Sequence, residues 1–468
     1  MKKLSVLAMA MIVMASCAKE NVQTNENNDQ SNDRRILEIG LASTKTQLGK
    51  EDNGFFPIVW SEGDEIAVIE NMGVEGQNVS VYRLKEGAGT ANGVFEHISG
   101  DAFPKVITDV VYPASAVVPN STLISEIPIV NVSSLVPKDQ TQSYEAGNFD
   151  KNAAVMYFHR NNAEDKIVLE PLSSIICIPI KGFDDNDVVT AVKWQNMDGR
   201  TATVTLNCPN GVKLSKGQAT NFYLSIQPML KDCNGIAYVY LKNGAIQVKT
   251  PRNLKAFQAG TLHRFPEWTL SKKAKWTIKY IGSERKTSMS NQTPLGLGQY
   301  MIDGNDLSWW EFRRNSKGSM AGPHKVIIDL GKTEHIKGLK IKGPETKITS
   351  SYTVKDEFGE NTITVSNGYN APCSVFASFL KEGELTEAFK STFCNNNSFE
   401  KDAQEVHKAK ITNGITFYYG EGMKDYWNIN LKKEYDARYL VIHFYQCWND
   451  KENGGAANKM KVAELDIY

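Results

Sequence analysis

IDGNDLSWW runs from Ile302 to Trp310, HKVIIDLGKTEHIKGLKI follows from His324, and ARYLVIHF and KVAELDIY, the latter ending at Tyr468, close the chain. A polar Asp/Asn/Ser turn that leads straight into two indoles reads as a loop pinned by an aromatic anchor. The later stretches alternate apolar and polar residues and are rich in Val and Ile, which is the period of strands. The last third of the chain is therefore read as a β unit that opens on a polar turn and closes on a strand.

Composition bounds the remaining choices. The chain has 468 residues, 41% of them hydrophobic, which suggests roughly three domains, each with its own core. Fifty-three basic residues balance 53 acidic ones, so there is no electrostatic footprint for nucleic acid. From Arg35 onward short strands are separated by Gly, Asn, Asp and Pro, and the fold class is all-β. Asn243-Gly244 between IAYVYL and IQVK is the strongest hairpin signal.

The opening residues point to export. Lys2 and Lys3 precede an apolar run that is too short to span a membrane and has the length of a signal-peptide core. Residues 1–16 are read as that signal, and MASC at residues 14–17 resembles a bacterial lipobox, which implies that Cys17 is lipidated. Residues 17–34 then form a polar tether with nothing to bury. The resemblance implies a protein anchored in the outer membrane by lipid and exposed at the cell surface. Of the other six cysteines, Cys177 in SSIICIPI reads as a buried thiol, and Cys208 with Cys233 and Cys373 with Cys394 are candidate bridges. No CxxC spacing is present, which argues against zinc.

Two family resemblances add to this. TKTQL at Thr44, VWSEGDEIAVI at Val59, VVYPAS at Val110, VPKDQTQSYEAGNFDKNAAVMY at Val136, LEPLSSIICIPI at Leu169 and FYLSIQP at Phe222 resemble, in this order, the fimbrillin-like proteins of the Bacteroidetes. That resemblance implies two transthyretin-like β-sandwich lobes over residues 35–155 and 156–270, with a break between Phe149 and Ile167. It also raises a fimbrial alternative: a tip or accessory subunit, cleaved near Arg34-Arg35 and assembled with other fimbrial subunits by strand donation. Residues 272–468, with the motifs quoted first, resemble a discoidin domain, also called galactose-binding-like. This implies a jelly-roll β-sandwich that binds rather than catalyses, with a glycan or glycoprotein as partner.

The discoidin resemblance also implies site residues. Asp303, Asn305 and Ser308 in the turn and Glu464 in the terminal strand match positions that hold a structural Ca2+ ion in sugar-binding members. Read from the residues alone, Asp303 and Asn305 equally make an Asx turn. Trp310 is expected in the core. Trp309, Phe312, Arg313 and Arg314, with Trp448 and Asn449 in the Gly-rich loop QCWNDKENGGAANK, are the candidate ligand contacts, because aromatic rings stack on sugars and guanidinium groups read hydroxyls or carboxylates. HExxH, GxSxG and a complete P-loop are all missing; GKT at Gly331 reads as a turn, and Asp184-Asp185 as solvated turn residues. The expectation is a non-catalytic cell-surface adhesin.

Overall fold

A computed structural model describes residues 36–41, 47–48, 58–70, 78–100, 107–117, 136–142, 150–162, 165–196, 203–229, 231–232, 234–281, 298–305, 307–313, 324–343, 349–356, 359–366, 372–385, 407–410, 427–447 and 459–468. The signal, Cys17 and the tether lie outside these residues. The protein is all-β. Among the described residues no helix is long and apolar enough to cross a membrane.

The first lobe is a closed barrel. Around it run Ile36–Leu41, Val168–Pro171, Met156–His159, Ile107–Tyr112, Glu65–Glu70, Asn78–Glu86 and Asn92–Ser99, the last pairing back to the first. Trp60, Phe95 and Tyr112 fill it edge to face, with centroids 4.8 and 5.5 Å from the Trp60 ring. The SEGD turn follows Trp60 because Gly63 takes φ +78° and Asp64 Oδ2 accepts the Ser61 amide at 2.8 Å. The Tyr112 hydroxyl donates to the other Asp64 oxygen at 3.1 Å.

The second lobe packs two sheets. One contains Ser174–Lys181 beside Thr220–Ile226 and Leu262–Arg264; the other runs Ile246–Lys249, Gly235–Leu241, Val188–Asn196, Val204–Lys213 and Asp139–Thr141. The expected break between Phe149 and Ile167 is not where the sheets change hands. Met156–His159 and Val168–Pro171 close the barrel, whereas the earlier strand Asp139–Thr141 crosses into the second lobe, parallel to Val204–Lys213. Buried Gln140 explains that crossing: its amide takes the Ser225 N–H at 2.9 Å and donates to the Ser225 carbonyl at 2.6 Å, joining the two sheets. The Asn243-Gly244 turn forms as expected, with Gly244 at φ +91°. Cys177 and Cys208 are buried thiols outside any disulfide, which removes the proposed Cys208 bridge. Cys208 points inward from its strand into the lobe's core, and Cys233 lies outside the described residues.

One 3-10 turn, Lys272–Lys275, joins this lobe to the C-terminal domain. There the main sheet runs Thr277–Ile281, His324–Lys342, Trp427–Cys447, Pro372–Leu380 and His407–Lys410, with Glu464–Ile467 against the far half of His324–Lys342. Period-two alternation sorts its faces. Val326, Ile328, Leu440, Ile442 and Phe444 enter the main core with Trp310 and Trp276, while Ile327 and Val441 meet Leu380 on the other face. The long strand slips register between Asp329 and Glu334, so GKT, expected as a turn, lies within the strand at this irregularity. Gly331 there has φ +81°, and a Cβ would come 2.8 Å from the Lys275 carbonyl oxygen.

Candidate functional site

Two ladders bring the candidate loops together. Trp310–Arg313 runs antiparallel to Lys459–Val462, with Trp310 opposite Val462 and Arg313 opposite Lys459. In the main sheet His324 stands opposite Phe444, and Cys447 opposite Pro372. The segment from Arg314 to His324 and the segment from Cys447 to Lys459 therefore leave and re-enter the sheets at the same end of the domain. The first holds Arg314; the second holds Trp448 and Asn449. These three lie outside the described residues, as do the side chains of Phe312 and Arg313.

Trp310 is fully buried and packs 5.6 Å from the Phe444 ring, as expected of an anchor. Trp309 is half-buried, and the Lys461 ammonium sits 4.9 Å over its ring centroid. One face of that indole is thus covered by the Lys461 side chain. Its Nε1 is out of solvent with no acceptor among the described residues.

The opening turn sits at the other end of the Trp310–Arg313 ladder. Asp303 is buried, accepting the Asn305 amide at 2.8 Å on one oxygen and the Ser308 hydroxyl at 2.6 Å on the other. Glu464, equally buried, is near enough for its charge to act on Asp303. Burial first, and the Glu464 charge second, push the Asp303 carboxyl well above its ordinary range. So the turn and the terminal strand do meet. Sequence reading missed the third charge: Lys273, from the connector, is 5% exposed and its ammonium bonds Glu464. Its signal was visible in SKKAKW, three lysines at a domain boundary beside a Trp.

Calcium requires six to eight oxygen ligands. Here both Asp303 oxygens accept internal donors, and a fixed ammonium already holds Glu464. A divalent ion would have to displace that ammonium from Glu464 before the carboxylates could ligate it. The turn also faces the second lobe. Asn305 donates to Thr250 Oγ1 at 2.8 Å, the Asp303 carbonyl accepts from the Val248 amide at 3.2 Å, and Tyr300 packs against Tyr238.

A cavity of about 690 Å³ lies away from the candidate loops, between the second lobe and the C-terminal domain. Its charges are largely committed to one another. Lys275 bonds Asp184 at 3.0 Å and Asp187 at 2.5 Å, and Asp329 takes Arg438 at 3.2 Å and Lys279 at 3.4 Å. Asp184 and Asp185 lie in a solvated turn as expected, and Asp184 also bonds Lys275 across the domain boundary; burial raises its carboxyl, but Lys275 and the Asn186 amide outweigh this and hold it low.

The described residues form an all-β protein whose C-terminal sheets pair Arg313 with Lys459 and His324 with Phe444. Its structural neighbours are carbohydrate-binding modules of the family 32, discoidin-like type. One is the family 32 module of NanJ from Clostridium perfringens in complex with galactose, at 14% identity and TM-score 0.24, covering 42% of this chain and 95% of that one. Another, from a family 31 glycoside hydrolase of the same organism, has 12% identity and TM-score 0.27, with 42% and 93% covered. The lectin domain of lectinolysin complexed with Lewis B antigen gives 12% identity and TM-score 0.22, with 41% and 90% covered. No family model and no curated protein matches the sequence.

Proposed function

We propose that this chain is a lipid-anchored, surface-exposed, non-catalytic binding protein whose C-terminal domain holds a glycan at the end of the sheets where residues 314–323 and 448–458 are attached. The observation that carries the reading is the pairing of Arg313 with Lys459 and of His324 with Phe444, which roots both loops side by side. Loops gathered on a rigid sheet are where recognition commonly resides. Trp448, Asn449, Arg313 and Arg314 supply stacking and hydrogen-bonding chemistry suited to a sugar, while the buried contacts at Asp303 and Glu464 brace the domain from the opposite end.

The test is a glycan array with the full chain, with galactose and Lewis B among the first probes. The Trp448→Ala and Arg314→Ala variants are expected to weaken any positive signal by at least about tenfold, equivalent to about 1.4 kcal/mol each. An array on which the folded protein binds no glycan, or variants that bind as well as the parent, would remove the reading. The fimbrial alternative predicts ladders of subunits on denaturing gels after cleavage at Arg34 or Arg35. Such cleavage would leave in place Ile36–Leu41, which is already paired on both sides within the barrel.

A further inference from the structure

The second lobe contains a cavity of about 270 Å³ with a character unlike the charged cleft. Its walls include the rings of Trp194, Trp268 and Phe265. Gly235 allows this packing, because a Cβ there would fall 2.2 Å from the Trp194 ring. Two cations, both solvent-exposed, line the same cavity, Lys249 and Arg252. Neither forms an ion pair with a carboxylate among the described residues. Lys249 instead lies 5.9 Å from the centroid of Trp268, and burial holds its ammonium below the ordinary lysine range. Two other lysines of this lobe are matched, Lys181 with Glu267 at 2.8 Å and Lys255 with Asp232 at 2.8 Å, while Lys193, like Lys249, lies over an aromatic ring.

An apolar, aromatic cavity with a few convergent charged groups is the ordinary make-up of a small-molecule site, although this one falls just short of the usual range of about 300–1,000 Å³. An apolar body would displace water from the rings. An anionic head would supply the partner that Lys249 and Arg252 lack, Arg in particular offering the forked donors that match a carboxylate. A cationic ligand would be repelled.

We propose that the second lobe carries a binding site for a small amphipathic carboxylate: one ring or short apolar chain held against Trp194, Trp268 and Phe265, with its carboxylate at Lys249 and Arg252. This site is separate from the loop cluster and would place a second recognition function in the lobe otherwise read as a stalk.

The experiment titrates the full chain with 4-phenylbutyrate and, in parallel, with 4-phenylbutanol, following indole fluorescence and checking by calorimetry. The carboxylate is expected to bind at least about tenfold more tightly than the alcohol. The Lys249→Met/Arg252→Met double variant, with unchanged circular dichroism, is expected to erase that preference while still binding the alcohol. A Gly235→Ala variant, which forces the Trp194 ring to shift, should weaken both ligands. Absence of binding of either probe at millimolar concentration overturns the proposal, as does a preference for the carboxylate that survives the double variant. Because neither probe is a sugar, these outcomes are independent of the glycan array.

Discussion

Replacing Lys273 with Met tests how the terminal domain is held together. Met keeps the apolar stem and removes the ammonium, leaving Glu464 at 1% exposure beside Asp303 at 1% without that cation. Removing one partner of a buried ion pair costs about 3–5 kcal/mol, because the remaining charge stays desolvated. The C-terminal unit is of the size for which each kcal/mol shifts the melting temperature by roughly 2–4 °C, so a fall of roughly 6–20 °C is expected. Urea unfolding followed by tryptophan fluorescence would measure the loss. The double variant Lys273→Met/Glu464→Gln should recover much of it, since the stranded charge is then gone. Calcium provides the decisive arm: the parent should melt at the same temperature in millimolar calcium and in EDTA, while Lys273→Met, freed of the competing ammonium, is the form in which calcium could stabilise the cluster. A single variant within about 1 kcal/mol of the parent, or a parent stabilised by calcium and destabilised by EDTA, would refute the view that the lysine is the resident cation.

Three further outcomes are expected. Gly331→Ala should destabilise the protein by about 1–3 kcal/mol in urea titrations, because a side chain is strained at that φ and its Cβ meets the Lys275 carbonyl. His335 lies 2.7 Å from both Asp436 and Glu434, whose hydrogen bonds raise its pKa. Its folded-state pKa exceeds the unfolded one, so its stabilisation is full below about pH 6.5 and is lost as pH rises through the raised value; a His335→Ala variant should lose that part of the pH dependence, seen as melting profiles that are offset below about pH 6.5 and converge as pH rises through the transition. Burial pushes the Cys208 thiol up to about 12, so iodoacetamide at pH 8 should leave Cys208 unmodified in the native protein and alkylate it in urea, as read by peptide mass spectrometry.

The all-β class, the hairpin at Asn243-Gly244, the Trp310 anchor and the buried Cys177 were legible in the sequence because each rests on local chemistry. Period-two alternation, a turn that needs positive φ, and an apolar run around a thiol are properties of a few adjacent residues. The meeting of the Asp303 turn with Glu464 was also anticipated, through resemblance. What only the tertiary structure decided is who shares those contacts. The strand Asp139–Thr141 leaves its sequence neighbours for the second lobe because Gln140 is satisfied by Ser225, 85 residues away. Lys461 covers the face of Trp309, Lys275 reaches back to Asp184 and Asp187, and Lys273 takes the carboxylate reserved in the sequence reading for a metal. Each is a charge or amide whose partner is remote in sequence, and no local period or propensity encodes which distant group will neutralise it; that choice is made when the domains pack and every buried charge has to find a counterpart.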